Sequence, residues 1–318
     1  MAIRCAILDD YQDIALKVAD WSSVEEEIDI TVFNDHLGGA NEVIAALKGF
    51  GIIVAMRERT AFPKHVIDSL PYLKLLITTG MRNASIDVEA AKARGVTVCG
   101  TGSFGSPTSA IAIGLMLELT RRIGFENARL HGGAAWQTTI GPDLEGMTLG
   151  VLGLGKLGTR TATIAKAFGM EVISWSPNLM PEKCAQAGVG YVEKDELFRR
   201  SDFITIHVVL SQRSRGLIGA RELGLMKPGA FLINTSRGPI VEEAALIAAL
   251  LDNRIAGAGL DVFDIEPLPR DHPFRKMDNV VISPHLGYVS EQNYRHYFAG
   301  VIEDIRGFLD GKPVRMIT

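Results

Sequence analysis

The stretch Leu149-Gly150-Val151-Leu152-Gly153-Leu154-Gly155-Lys156-Leu157-Gly158 decides how this chain folds. It reads as an apolar strand running into GxGxxG, and a helix-length stretch, Thr159 to Phe168, follows. The next apolar run, Glu171 to Trp175, closes a βαβ unit around it. Among 33 glycines the motif alone says little. Set between a strand and a helix, it becomes a dinucleotide-binding fingerprint. Gly153 then permits the tight turn, Gly155 lets the backbone approach a pyrophosphate, and Gly158 lets helix and strand pack closely. The amides at the helix start, Lys156 and Leu157 included, supply an anion site. Ser176, 18 residues beyond Gly158, stands where an acid commonly binds the adenosine ribose. A serine suits either a hydroxyl or a 2′-phosphate, so NAD and NADP both stay open.

The same rhythm extends outward from this stretch. Apolar runs at 3–8, 28–33, 51–55, 73–78 and 96–99 precede it, with helix-length stretches such as 41–48 and 63–69 between them. Further runs at 203–208, 230–234, 256–260 and 280–282 follow. Strands apolar throughout, alternating with helices, predict parallel sheets covered on both faces. The polar break 100–107 separates the two series, a single long helix is expected from Thr108 to Leu130, and another closes the chain from Ser290 to Leu309. The 318 residues suit two domains.

Composition excludes several functions. Hydrophobic residues make up 47% and charged residues 22%, ordinary for a globular protein. A net charge of -4 without a basic tail offers no driver for nucleic-acid binding. Cys5, Cys99 and Cys184 lie far apart and form neither a disulfide framework nor a zinc-ligand spacing, so no metal is expected. No run of 18 uncharged apolar residues could span a bilayer, and the N-terminus does not read as a signal peptide. A cytoplasmic protein is expected.

Ligands of open α/β sheets bind beyond the carboxyl ends of the strands. Three late strands run into Thr235-Ser236-Arg237-Gly238, Asp261-Val262-Phe263-Asp264-Ile265-Glu266 and Ser283-Pro284-His285-Leu286-Gly287. Alone, each of Arg237, Glu266 and His285 could be an ordinary loop residue. Together beside a dinucleotide turn they suit one chemistry. Arg237 can grip a carboxylate and polarise the adjacent carbonyl. His285 can pass a proton to that carbonyl oxygen, and Glu266 can orient the imidazole.

These stretches, with DFITIHVVL, LMKPGAFLINTSRGPIVEEAAL and VVISPHLG, resemble the D-isomer-specific 2-hydroxyacid dehydrogenases along nearly the whole chain. The resemblance implies a Rossmann-type cofactor domain at 102–286 and a flavodoxin-like substrate domain at 1–101 plus 287–318. It implies hydride transfer between NAD(P)H and a small 2-oxo or 2-hydroxy acid, with Arg237, Glu266 and His285 catalytic. It places His207, Thr235, Ser236, Asp261 and Gly287 along the cofactor, Asp261 at the nicotinamide carboxamide. Arg57 in Met56-Arg57-Glu58-Arg59-Thr60 and the loop Gly80-Met81-Arg82 become substrate contacts. It implies a homodimer through the cofactor domain, Trp136 lying in the contact segment. A related alternative is a dinucleotide-sensing corepressor with little turnover. Ala110 stands where many relatives have an acid. His36, His65, His131, His272 and His296 show no companions of a useful type.

Overall fold

The computed structural model describes residues 2–317 and divides into two compact units, Met1–Gly105 with Ser290–Thr318, and Ser106–Val289. The divisions fall four and three residues past the positions expected, 101 and 286. No helix among the described residues is long and apolar enough to cross a membrane.

The first unit holds strands β1 (Ile3–Ile7), β2 (Ile28–Val32), β3 (Ile52–Ala55), β4 (Leu75–Thr78) and β5 (Thr97–Gly100). Helices α1 (Ala40–Leu47), α2 (Lys64–Asp68) and α3 (Val88–Ala93) connect them. All pairs are parallel, in the order β2-β1-β3-β4-β5, which is the flavodoxin order. Every residue of β3 and β4 is buried, which explains why these runs show no polar alternation. Leu47, Phe50, Phe62, Val66 and Leu76 fill one core layer. Burying each such side chain is worth roughly 1.5–3 kcal/mol.

The second unit opens with α4 (Pro107–Arg121) and α5 (Ile123–His131). Then follow β6 (Thr148–Leu152), α6 (Lys156–Ala167), β7 (Glu171–Trp175), α7 (Pro181–Ala187), β8 (Gly190–Tyr191), α8 (Lys194–Arg200) and β9 (Phe203–Ile206). After these come α9 (Ala220–Leu225), β10 (Phe231–Asn234), α10 (Glu243–Leu251), β11 (Gly257–Leu260) and β12 (Val280–Ile282). The parallel sheet runs β12-β11-β10-β9-β6-β7-β8. Its strand order therefore reverses between β6 and β9, the place where open sheets bind ligands. On neighbouring β9 and β10, Phe203 and Phe231 stack with centroids 4.9 Å apart.

The single helix expected from Thr108 to Leu130 is two. Arg122 takes a left-handed φ of 48° and ends α4. The Glu118 carboxylate then accepts the Gly124 and Phe125 amides at 2.9 and 3.3 Å, satisfying donors that a new helix start leaves open.

The last helix, α11 (Glu291–Leu309), belongs to the first unit and packs on β4 and β5. Tyr294, Tyr297, Phe298, Val301 and Ile305 recur every three or four residues and are all buried. The Ser290 hydroxyl accepts the Asn293 amide at its start. Beyond α11 the chain covers the edge of β5: Gly100 donates to the Arg315 carbonyl at 3.1 Å and Ile317 to that of Val98 at 2.8 Å. That removes an exposed strand edge.

Candidate active site

The turn after β6 is built by glycines for steric reasons. Gly153 has φ 104°, and a Cβ there would meet the His207 carbonyl oxygen at 2.8 Å. A Cβ on Gly158 would lie 2.0 Å from the Gly153 carbonyl oxygen, so α6 packs directly on the turn. Gly155 is the N-cap of α6; no side chain caps it, and nothing lies within 4 Å of its would-be Cβ. The first-turn amides, those of Lys156 and Leu157, thus face an open approach. A cavity of about 460 Å³ adjoins the turn, lined among others by Gly153, Gly155, Ser176 and His207. Two buried polar atoms in this region, His207 Nδ1 and Thr235 Oγ1, meet no partner among the described residues. Open amides, open space and orphaned polar atoms fit a bound dinucleotide. Burial pushes His207 down to about 4, so the ring is neutral near pH 7. Thr205 Oγ1 contacts its Nε2 at 3.0 Å. Ser236 turns its hydroxyl onto the Ile206 carbonyl at 2.7 Å, holding the loops after β9 and β10 together.

Arg237 follows β10 in extended conformation. Asn234 sets it there, its side chain accepting the Ser236 amide at 3.0 Å and donating to the Arg237 carbonyl at 2.9 Å. Glu266 and His285 meet: Nδ1 of His285 lies 2.6 Å from Oε2 of Glu266. The other Glu266 oxygen accepts the Phe263 amide at 2.9 Å, which fixes the carboxylate plane. His285 itself has φ 52°, a costly conformation for a residue with a side chain. Its ring stands edge-on to Tyr288, 5.6 Å between centroids.

Asp261 explains how that strain persists. It is fully buried at the end of β11, and its oxygens accept the Ser283 hydroxyl at 2.6 Å, the Leu286 amide at 2.7 Å and the Gly287 amide at 2.8 Å. Burial, the larger effect, raises its pKa despite these donors. Asp261 therefore clamps both sides of His285. The donors it holds include the Gly287 amide, one of the groups expected along the cofactor.

In the first unit, Arg57 follows β3 with φ 52°. Its Nη1 donates to the Thr79 carbonyl at 3.0 Å and its amide to Thr79 Oγ1 at 3.0 Å. The guanidinium lies on Gly80, where a Cβ would come within 1.7 Å of Nη1. The Gly80 amide is taken by the Thr101 hydroxyl at 2.9 Å. Among the described residues the Met81 and Arg82 amides meet no acceptor, and both side chains are exposed.

A family model for the NAD binding domain of D-isomer specific 2-hydroxyacid dehydrogenases matches residues 113–287. The chain belongs to this family. It is 38% identical over 258 residues to a glyoxylate reductase of Thermococcus litoralis, covering 78% of each chain. It is 29% identical over 315 residues to a hydroxypyruvate reductase of Blautia hydrogenotrophica, covering 94% of this chain and 95% of that one. A solved structure of a putative D-3-phosphoglycerate dehydrogenase from Ralstonia solanacearum superimposes with a TM-score of 0.92 at 33% identity, covering 99% of this chain and 96% of that one. The dehydrogenase is an oxidoreductase that passes hydride between NAD or NADP and a 2-oxo or 2-hydroxy acid.

Sequence reasoning missed residues that act through others. Asp9, after β1, is buried with φ 56°. It accepts the Thr60 hydroxyl at 2.7 Å and lies 3.2 Å from both the Tyr11 hydroxyl and His36 Nδ1. It thereby ties β1 to the Arg57 loop of the dehydrogenase. His36, expected without useful company, is thus partnered. His272 likewise meets Glu243 at 3.2 Å. Asn83 also grips that loop, donating to the Arg57 carbonyl at 2.6 Å. The contacts of Asp9 with Thr60 and His36, of His272 with Glu243 and of Asn83 with Arg57 have no local sequence signal, because their partners lie 26 to 51 residues apart in the chain.

Proposed function

We propose that Arg237, Glu266 and His285 carry the chemistry of this dehydrogenase on a small D-2-hydroxy acid or its 2-oxo form. The observation that carries this is the 2.6 Å contact between Glu266 and a His285 held in a left-handed conformation. A strained histidine with its Nδ1 facing a fixed carboxylate presents Nε2 outward for proton exchange. In reduction, Nε2 of His285 donates its proton to the oxygen that was the carbonyl; in oxidation it takes the proton back. Glu266 holds the ring and offsets the imidazolium charge. Arg237 binds the carboxylate and draws electron density toward the carbonyl oxygen. When bound, the nicotinamide supplies or accepts the hydride at the carbonyl carbon.

The second unit is the cofactor domain and the first the substrate domain. Arg57 and the Met81 and Arg82 amides are the proposed substrate contacts in the first unit; Gly80 serves by seating Arg57. Glyoxylate and hydroxypyruvate, named for two relatives, are the first substrates to try. A homodimer through the cofactor domain accords with Trp136 there being 68% exposed. A cytoplasmic enzyme without nucleic-acid or membrane partners accords with the charge balance. The test is a panel of 2-oxo acids with NADH and NADPH, run on wild type and His285→Ala. D-product formation in wild type and its collapse in the variant are expected. Near wild-type kcat in His285→Ala would remove the histidine from the mechanism.

A further inference from the structure

The cavity beside the glycine turn has walls from three places. The loop after β7 brings Ser176 and Asn178, α7 brings Lys183, and the loop after β9 brings Arg213. Among the described residues, no aspartate or glutamate lines it. Lys183 and Arg213 are exposed, and among the described residues neither side chain has a hydrogen bond or ion pair. Nearby Lys194 differs: it donates to Glu222 at 2.9 Å and to the Leu217 carbonyl at 3.1 Å, so its charge is already matched. The Arg213 loop is also braced. Ser214 Oγ accepts the Ser211 amide at 2.7 Å and donates to the Val209 carbonyl at 2.7 Å.

We infer that this cavity takes an adenosine bearing a 2′-phosphate, with Ser176, Lys183 and Arg213 as its contacts, so that the dehydrogenase prefers NADP(H) to NAD(H). The assignment rests on the Gly153 turn holding a dinucleotide. A carboxylate at the end of β7 would accept the ribose hydroxyls and repel a phosphate. Ser176 donates instead. Arg213 offers a planar fork matched to phosphate oxygens, and Lys183 a compact charge from α7. Two unmatched cations around a site without acids have no partner for the neutral ribose of NAD, and a fitting one in a dianionic phosphate. Because both cations are exposed, salt weakens the preference.

Isothermal titration of the full-length protein with 2′,5′-ADP and 5′-AMP reads this without turnover. We expect 2′,5′-ADP to bind at least about tenfold tighter at low salt, as one or two charge-assisted hydrogen bonds supply. Lys183→Ala and Arg213→Ala should each remove several-fold of that preference and leave 5′-AMP unchanged. Arg213→Glu should turn it toward 5′-AMP, and the NADPH to NADH ratio of kcat/KM should fall in step. Equal binding of the two probes, or an unchanged preference in the Lys183→Ala Arg213→Ala double variant, overturns the inference while leaving the dinucleotide site standing. A protein that binds neither probe, and neither cofactor, loses that site and the inference together.

Discussion

Two buried aspartates hold the loops proposed to be functional in the two units, and they do so differently. Asp261 receives two backbone amides and one hydroxyl, all from the loop that carries His285. Among the described residues, Asp9 holds the Arg57 loop through the Thr60 hydroxyl, its other neighbours being Tyr11 and His36. An amide is part of the chain it positions, so a carboxylate that accepts two of them fixes the backbone. A side-chain hydroxyl adds rotatable bonds and transmits less. The loop proposed for proton transfer is therefore held through its backbone by a buried aspartate, whereas the backbone of the loop proposed for substrate binding is held by Thr79 and Asn83 and only its Thr60 side chain by Asp9. A proton donor must be placed within hydrogen-bond reach of the reacting oxygen, whereas a guanidinium tolerates displacement.

This contrast can be broken in order of expected effect. His285→Ala should lower kcat by on the order of a thousandfold, the scale of a lost general acid. Steady-state rates with cofactor affinity measured in parallel would check it; unchanged cofactor binding places the loss in chemistry. Asp261→Ala should come next. It strands the Leu286 and Gly287 amides at a cost of about 1–3 kcal/mol each, read as a lower midpoint in chemical denaturation. With His285 free to leave its left-handed conformation, kcat should fall about ten- to hundredfold. A variant destabilised by that amount with wild-type kcat would show that the clamp serves the fold alone.

A third buried carboxylate sharpens the comparison. Asp304 on α11 has Arg315 as its partner at 3.0 Å, and its Oδ2 has none among the described residues. Burial, outweighing Arg315, raises its pKa to about 7. In the unfolded chain the group loses its proton near pH 4, so between pH 4 and 7 the folded state binds more protons. Stability should then fall as pH rises, by at most about 1.4 kcal/mol per pH unit. Urea titrations at pH 5 and 8 test this, and Asp304→Asn should flatten the slope. The opposite slope in that window, unaffected by the substitution, would assign the pH dependence to other groups. The smallest effect is expected at Asp9. Asp9→Ala should raise KM for the 2-oxo acid several-fold and leave kcat within about twofold, the split expected when a binding loop loosens. A kcat loss as large as that of Asp261→Ala would erase the distinction between the loops.

Much of this was legible in the chain. The apolar runs around Leu149–Gly158 and around 52–55 marked two parallel sheets, since strands covered on both faces need no polar alternation. The residues proposed for the chemistry also stood out, as Arg237, Glu266 and His285 lie three to six residues beyond the ends of three apolar runs. The helix break at Arg122 escaped notice because nothing local forbids continuation there; the Glu118 carboxylate stabilises the alternative only once α5 has turned to meet it.

By itself the sequence determined the two α/β units, the glycine turn, its ligand class and the three polar residues at strand ends. These depend on periodicity, on the missing Cβ of glycine and on the chain direction of parallel strands, all properties of neighbouring residues. The tertiary structure alone decided that Asp261 clamps His285, that Asp9 reaches the Arg57 loop and that Arg213 shares a cavity with Ser176 and Lys183. Those depend on which strands lie side by side. The β6–β9 neighbourhood brings residues far apart in the chain to one edge of one sheet, and no local pattern encodes that adjacency, because it is set by how the buried faces of distant helices and strands fit together.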